Sequence, residues 1–256
     1  MKNKVLLISI DGMRPDGLLN CNNHFVQEFQ QKCSYTYNGN SVQPSITLPC
    51  HFSMTHSVSP QRHGIVSNTY TPQVRPIKGL FEVIHENNLK TAFFYGWEPL
   101  RDIASPGSLD FGCYINYQNC DCVDDLLANN CIDLLTKEKP DFAFLYLVDT
   151  DVAGHQYGWM SKEYLFKINN AFNIVEQLYN IFKNEYHIII MSDHGGHDRT
   201  HGTMLKEDMT IPFFFYGNMF NCQEITNDIS LIDIAPTIVK LLSINMDKDW
   251  EGKSII

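Results

Sequence analysis

The chain has 256 residues, of which 44% are hydrophobic and 19% are charged, as in folded globular proteins. This composition excludes a disordered chain and a collagen-like repeat. The formal net charge of −10 at pH 7 has the wrong sign for general binding to the phosphate backbone of DNA or RNA, so we expect no nucleic-acid scaffold role.

The sequence also bears on membranes and on the cellular compartment. It contains no run of about 18 apolar residues, so we expect no membrane-spanning segment. The apolar run after the basic N-terminus stops at Asp11 and no small-residue cleavage site follows, which favours a cytoplasmic protein. The eight cysteines include no Cys-x-x-Cys pair, so most are expected to be free thiols. Cys120 and Cys122 form one dense spot, where a metal or redox role is the alternative to an ordinary loop or helix start.

Two hydrophobic periodicities alternate along the chain. Short apolar runs at residues 5–10, 92–95, 142–148, 188–191 and 211–216 predict strands buried on both faces. Helical spacing follows at 77–84, 123–134, 165–182 and 231–242, where Ser230 and Asp233 fit a capping box and leave Pro236 in a first turn. The alternation predicts an α/β fold with a mostly parallel central sheet and helices on both faces. We expect a single domain over residues 1–256, with a short irregular excursion over one sheet edge at about 97–121.

Acidic and histidine side chains follow three of the predicted strands. They are Asp11 after the first strand, Asp151 and His155 after the strand at 142–148, and Asp193, His194 and His201 after the strand at 188–191. Carboxyl ends of parallel strands form the ligand-binding edge of such sheets. One such residue alone also fits a turn or a helix cap. Acids from three strand ends at one edge, however, would repel one another and cost stability unless cations bind there. Asp and His without paired Cys suit Zn²⁺, Mn²⁺ or Fe, so the sequence predicts a metal site.

A candidate nucleophile lies at residues 43–53. Thr47 precedes a predicted helix start with Pro49 in the first turn, so its hydroxyl is expected at the positive end of the helix dipole. A plain helix cap explains Thr47 as well, and Ser45 has equivalent chemistry. Contact with the metal ligands decides between the two hydroxyls.

These motifs, in this order, resemble those of the alkaline phosphatase superfamily, in its type I phosphodiesterase/nucleotide pyrophosphatase branch. The matching segments are Asp-Gly at 11–12, Pro-Ser-Ile-Thr-Leu-Pro-Cys-His at 44–51, Pro-Gln-Arg-His-Gly-Ile at 60–65, Asp-x-x-Gly-His at 151–155, Ser-Asp-His-Gly-Gly at 192–196, His-Gly at 201–202, Asp-Ile-Ala-Pro-Thr-Ile at 233–238 and Trp-Glu-Gly-Lys-Ser at 250–254. They cover nearly the whole chain. The resemblance implies an alkaline phosphatase-like three-layer sandwich.

The resemblance also implies a mechanism. Two divalent ions, Zn²⁺ before Mn²⁺, would act on a small phosphate ester. One ion would be held by Asp151, His155 and His201, and the other by Asp11, Asp193, His194 and the Thr47 hydroxyl. Thr47 would attack phosphorus and form a covalent phospho-enzyme, which water then hydrolyses. The implied reaction is hydrolysis of a phosphodiester or nucleotide pyrophosphate bond.

Two departures from the family pattern bear on the substrate. Diesterase relatives often carry Asn three residues after the nucleophile as a donor to a phosphate oxygen, whereas this chain has Cys50, whose thiol donates weakly. Only six residues separate His194 from His201, so we expect thin substrate walls. Within this link Arg199 is a candidate phosphate contact and His197 an alternative metal ligand.

The sequence leaves several alternatives open. A phosphomonoesterase, a phosphonate hydrolase or a sulfatase would use the same scaffold. A catalytically weak metal-binding homologue, impaired through Cys50, is a further reading. The sequence does not determine the oligomeric state.

Overall fold

Seven strands form one sheet in a computed structural model of the protein, which describes residues 3–256. In chain order the strands are β1 (Lys4–Ile10), β2 (Ser34–Asn40), β3 (Thr91–Tyr95), β4 (Phe111–Tyr114), β5 (Phe142–Leu147), β6 (Tyr186–Met191) and β7 (Thr210–Tyr216). The helices are α1 (Pro15–Asn20), α2 (His24–Gln30), α3 (Thr47–His56), α4 (Pro60–His63), α5 (Leu80–Glu86), α6 (Val123–Glu138), α7 (Asp149–Tyr157), α8 (Lys162–Phe182), α9 (Lys206–Met209) and α10 (Ile234–Leu241). Short 3₁₀ turns lie at Glu98–Ile103, Tyr117–Asn119 and Leu231–Asp233.

The sheet is mostly parallel, as predicted, with one exception. The strands lie in the order β2-β7-β6-β1-β5-β3-β4, and only β7 runs in the direction opposite to the other six. The sheet is therefore mixed rather than wholly parallel. The reason is the link from β6 to β7, which contains the short α9 instead of a crossover helix, so the chain returns in the opposite direction.

Two strands, β2 and β4, were not predicted from the sequence. In β2 buried positions alternate with partly exposed ones, and its polar sequence lacks a continuous apolar run. Strand β4 lies within the predicted excursion at 97–121 and pairs with β3 at the sheet edge. Both are edge strands, where burial on two faces is not required.

The predicted helical patterns correspond to packed helices. Helix α8 begins after Ser161, whose hydroxyl accepts the Tyr164 N–H, and it buries one apolar face. Ser230 and Asp233 form the predicted capping box just before α10. The helices form two layers, in which α1, α2, α6 and α7 pack with α8, and α4, α5 and α10 pack with α3. The α/β fold is confirmed.

Helix α3 is buried along its entire length. All ten of its residues are shielded from solvent, with Pro49 in the first turn as the sequence predicts. The helix begins at Thr47 itself, one residue earlier than predicted, and Ile46 occupies the N-cap position. The interior also encloses His63 of α4, whose Nε2 lies 3.0 Å from Ser53 Oγ, while its Nδ1 accepts the Ile65 N–H at 3.1 Å. This arrangement requires a neutral imidazole, because a protonated ring cannot accept a hydrogen bond.

Burial makes stability depend on pH through His63. Burial lowers the pKa of His63 to about 4, whereas the unfolded chain protonates near pH 6.5. The contribution of the neutral, buried His63 to the free energy of unfolding is therefore fully present above pH 6.5 and is lost as the pH falls through 4. Over this range we expect the free energy of unfolding of the wild type to fall by about 1.4 kcal/mol per pH unit more than that of His63→Gln.

Urea denaturation at a series of pH values measures this difference. Titrating groups that do not interact with His63 contribute equally in both proteins and cancel in the comparison. The same substitution at His24, whose side chain is 74% exposed, controls for the loss of an imidazole. Parallel stability curves for the wild type and His63→Gln would contradict the expectation.

Candidate active site

The site forms where three neighbouring strands end. Strands β6, β1 and β5 are adjacent and parallel, so their carboxyl ends lie together. Asp11 follows β1, Asp193 follows β6, and Asp151 lies in the first turn of α7 after β5. Gly12 turns the chain after Asp11 with a φ of +67°, and its N–H donates to Asp193 Oδ1 at 3.1 Å. A side chain at Gly12 would come within 3.1 Å of Asp151 Oδ1, so glycine is required by both conformation and space.

One group of potential metal ligands comprises Asp11, Asp193 and His194, all buried. The His194 Nε2 atom lies 3.3 Å from Asp11 Oδ1 and 3.3 Å from Asp193 Oδ2. The Thr47 hydroxyl oxygen lies 3.2 Å from the same nitrogen. The other three side chains that the resemblance assigns to this ion therefore all lie within 3.3 Å of His194 Nε2.

A second group comprises Asp151, His155 and His201. Asp151 and His155 lie one turn apart on α7, with Asp151 Oδ2 at 3.5 Å from His155 Nε2. Asp151 Oδ1 lies 3.7 Å from His201 Nε2. The rings of His194 and His201 stack with their centroids 3.8 Å apart, so the two groups are neighbours.

Backbone carbonyls orient all three imidazoles in the same way. Each Nδ1 lies beside a carbonyl oxygen: His194 beside Gly195 O at 2.8 Å, His155 beside Arg199 O at 3.0 Å and His201 beside Ser45 O at 2.8 Å. A carbonyl only accepts, so each Nδ1 carries the proton and donates it. Each Nε2 then keeps its lone pair, which faces a carboxylate and, in His194, also the Thr47 hydroxyl. This is the tautomer that metal ligation requires.

The carboxylates have buried oxygens without partners. Asp11 Oδ2 accepts a hydrogen bond from the Tyr146 hydroxyl. Within residues 3–256, however, Asp11 Oδ1, Asp193 Oδ2 and Asp151 Oδ1 have no hydrogen-bond partner. Burial, followed by repulsion from the neighbouring acids, raises the pKa of Asp11, and burial raises that of Asp193 and Asp151. These oxygens and the free Nε2 atoms fit divalent cations, which would satisfy both.

A cavity of about 160 Å³ opens onto both groups. It is lined by Asp11, Thr47, Asn68, Trp97, Tyr117, Tyr146, Val148, Asp151, Val152, His155 and His201. Five of these residues come from the predicted site. The hydroxyl of Ser45 instead donates to Thr203 O at 2.9 Å and does not reach the cavity, so the geometry favours Thr47 as the nucleophile.

Asn68 is a candidate functional residue that sequence reasoning missed. Its Oδ1 accepts the Leu48 N–H at 3.1 Å in the first turn of α3. Because that bond uses the oxygen, the amide NH₂ is left to donate, and the side chain lines the cavity beside Thr47. Asn68 follows Thr47 by twenty-one residues in a polar loop, so no local pattern marked it.

The structure does not bring Cys50 or Arg199 into the cavity. The Cys50 side chain is buried, with its Sγ 3.3 Å from Ser41 Oγ. Arg199 is exposed and contributes its backbone carbonyl, which holds His155, rather than its guanidinium. Neither side chain lines the cavity wall.

Two further candidate ligands lie outside both metal-ligand groups. His197 Nδ1 lies 2.7 Å from Asp208 Oδ1 and is occupied by that contact. The Sγ atoms of Cys120 and Cys122 are 3.6 Å apart, and across residues 3–256 no third ligand completes a metal-binding group with them.

The sheet carries two Asp/His groups at the ends of adjacent strands, beside a threonine hydroxyl. This is the architecture of the alkaline phosphatase superfamily. The chain belongs to the type I phosphodiesterase / nucleotide pyrophosphatase family, whose model matches residues 5–207. The family predicted from the motifs is confirmed.

No helix within residues 3–256 is long and apolar enough to cross a membrane.

Curated relatives agree with this assignment. The human bis(5'-adenosyl)-triphosphatase ENPP4 is 24% identical over 270 residues, which cover 94% of this chain and 55% of that protein. Human ectonucleotide pyrophosphatase/phosphodiesterase family member 1 is 28% identical over 220 residues, which cover 74% of this chain and 23% of that protein. The chain thus spans about half or less of the length of these relatives.

The similarity to solved structures concerns the fold. The structure of an inactive form of murine ectonucleotide pyrophosphatase/phosphodiesterase 5 in complex with AMP superposes with a TM-score of 0.82 at 13% identity, covering 97% of both chains. A 2-O GAG sulfatase, BT1596, superposes with a TM-score of 0.73 at 13% identity, covering all of this chain and 73% of the sulfatase.

Removal of one ligand is expected to remove one ion. We expect the metal-free wild type to bind two Zn²⁺ or Mn²⁺ ions per chain and His155→Ala to bind one, because His155 belongs to only one group. At a hundredfold excess over its dissociation constant, each ion adds about 2.7 kcal/mol to the free energy of unfolding. Elemental analysis and calorimetric titration give the counts, and His24→Ala is the control. Two tightly bound ions in His155→Ala would contradict the two-group assignment.

Proposed function

We propose that this chain is a metal-dependent hydrolase of phosphodiester or nucleotide pyrophosphate bonds, with Thr47 as the nucleophile. One observation carries the proposal: the Thr47 hydroxyl lies 3.2 Å from His194 Nε2, at a cavity that both Asp/His groups line. Membership of the family supports phosphodiester hydrolysis. The remaining contacts assign a role to each side chain.

Two divalent ions, Zn²⁺ or Mn²⁺, would be held by the two groups. Asp151, His155 and His201 form one set of ligands. The other consists of Asp11, Asp193 and His194, together with the Thr47 hydroxyl. When bound, the ions supply Lewis-acid stabilisation of negative charge on oxygen.

Thr47 is placed to attack phosphorus. It is the first residue of α3, so its hydroxyl lies at the positive end of that helix dipole, which stabilises a negative oxygen. As Thr47 Oγ1 forms a bond to phosphorus, the bond between phosphorus and the leaving-group oxygen breaks. The Thr47 hydroxyl proton is lost to water, and the leaving group departs with its oxygen. The product is a phospho-threonine that still carries the second ester group. Attack of water on its phosphorus breaks the bond to Oγ1, restores the Thr47 hydroxyl and releases the phosphate monoester.

Asn68 supplies the donor that the sequence lacks at Cys50. Asn68 lines the cavity, and its amide NH₂ would donate to a non-bridging phosphate oxygen, where charge develops during the transfer. The alternative of a catalytically weak homologue assumed that the weak Cys50 thiol takes the place of this donor. Since the Cys50 thiol is buried against Ser41, that argument for low activity loses its basis.

The cavity dimensions bear on the substrate. A volume of about 160 Å³ accommodates the reacting phosphate group, while the rest of a nucleotide-sized molecule would extend past the walls. Trp97 and Tyr117 on the wall offer flat apolar faces to a planar group such as a base. The murine structural neighbour holds AMP, and we propose a small-molecule phosphate ester here.

We further propose a cytoplasmic location. All eight cysteines are free thiols, which suits a reducing compartment. The location is tested by microscopy of the tagged protein in its native cell, where secretion of the chain would contradict it.

The nucleophile is tested by a pair of hydroxyl deletions. We expect Thr47→Ala to lower kcat for bis-p-nitrophenyl phosphate on the order of 10⁴-fold. Among residues 3–256, Thr47 is the only Ser or Thr that lines the cavity. Ser45→Ala removes a nearby hydroxyl that donates to Thr203 O. Its kcat is expected to stay within about tenfold of that of the wild type. Turnover that survives Thr47→Ala would overturn the mechanism.

The phosphate donor is tested by comparing Asn68 with Cys50. We expect Asn68→Ala to lower kcat on the order of 10²-fold, as for loss of one oxyanion donor. Cys50→Ala removes a thiol that does not line the cavity and is expected to change kcat only slightly. Steady-state kinetics with the same ester measures both, and circular dichroism verifies folding. The reverse order of the two effects would return the donor role to Cys50.

A further inference from the structure

Asp124 is a buried acid outside the metal-ligand groups. It lies in the first turn of α6, with 5% of its surface exposed. Its Oδ1 accepts the Val148 N–H at 2.8 Å, and its Oδ2 accepts the Asp149 N–H at 3.2 Å. Both oxygens therefore bind the start of α7, in a different part of the chain.

An acid in a first turn ordinarily stabilises its own helix. Asp124 differs because both of its oxygens are committed to amides of another helix. Helix α7 has no side-chain cap of its own, since Val148 occupies the N-cap position. Asp124 thus satisfies N–H groups that a helix start leaves without partners.

The start of α7 sets part of the candidate site. Asp151 and His155 lie on this helix and belong to one metal-ligand group. Val148 and Val152 line the cavity. The first turn is also fixed from the other side, because Lys167 Nζ lies 2.6 Å from Asp149 Oδ2.

We propose that Asp124 is a positioning residue that holds the first turn of α7 and thereby sets Asp151 and His155 for binding a divalent ion. The ion-binding part rests on the proposed function. Asp124 touches neither the ion nor the substrate. Its effect is confined to one of the two metal-ligand groups, because Asp11, Asp193 and His194 lie on other elements.

Asp124→Asn and Asp125→Asn form a matched pair. Both remove one carboxylate from the first turn of α6, but Asp125 is exposed. Each is placed in two backgrounds and titrated with Mn²⁺ or Zn²⁺. In His194→Ala, which reports the group with Asp151, we expect Asp124→Asn to weaken binding by about 10- to 100-fold. In His155→Ala, which reports the other group, we expect a change within about twofold.

The outcomes separate positioning from general destabilisation. Equal losses in both backgrounds, or no loss in His194→Ala, would overturn the proposal. Asp125→Asn is expected to leave both affinities unchanged. Asp124→Glu keeps both acceptor oxygens and should retain most of the affinity, and it also serves if Asp124→Asn does not fold. A loss with Asp124→Glu as large as with Asp124→Asn would indicate packing alone and count against the proposal.

A metal-free measurement keeps the two proposals distinct. Hydrogen exchange of the amides at residues 148–152 is expected to be about tenfold faster in Asp124→Asn than in Asp125→Asn, because the Val148 and Asp149 amides lose a buried acceptor. Unchanged exchange would overturn the role in α7. A wild type that binds neither ion would overturn the proposed function and the ion-binding part, while exchange still decides whether Asp124 holds α7.

Discussion

The confinement of three carboxylates in the protein interior is the constraint on which the site depends. Asp11, Asp151 and Asp193 each keep one buried oxygen without a hydrogen-bond partner in the described part of the chain. Burial raises the pKa of all three, and mutual repulsion adds to the effect for Asp11. Such a cluster costs stability unless cations or protons neutralise it. The surrounding contacts hold it in place despite that cost: Tyr146 binds Asp11, and the Gly12 amide binds Asp193.

The topology explains how distant residues meet. Adjacent parallel strands β6, β1 and β5 bring one acid each to the same sheet edge. The reversal into β7 keeps the link after β6 beside that edge instead of sending it across a sheet face. This link places His201 against His194 and returns the Arg199 carbonyl to His155. The antiparallel direction of β7, which the periodicity did not reveal, therefore helps to assemble the second group.

Sequence reasoning found the parts of the site that follow from local pattern. Buried strands appear as apolar runs. The residues that follow them could be grouped because the carboxyl ends of parallel strands lie at one edge of the sheet. Asn68 and Cys50 depend on tertiary placement. Asn68 approaches Thr47 through its bond to the Leu48 amide, and no local spacing encodes that contact. Cys50 lies three residues after Thr47, on a helix buried on every side, so periodicity could not tell which direction faces the cavity.

The nucleophile is fixed from behind as well as from the cavity. His51 Nδ1 lies 2.8 Å from the Thr47 carbonyl, and its Nε2 lies 3.1 Å from Ser9 Oγ on β1. Since the carbonyl accepts, Nδ1 carries the proton and Nε2 accepts from the serine hydroxyl. Burial lowers the pKa of His51 to about 4, so the neutral ring persists at pH 7 and adds no charge near Asp193. A neutral bridge between α3 and β1 therefore couples the Thr47 backbone to the strand that precedes Asp11, which helps to orient the hydroxyl relative to this ligand.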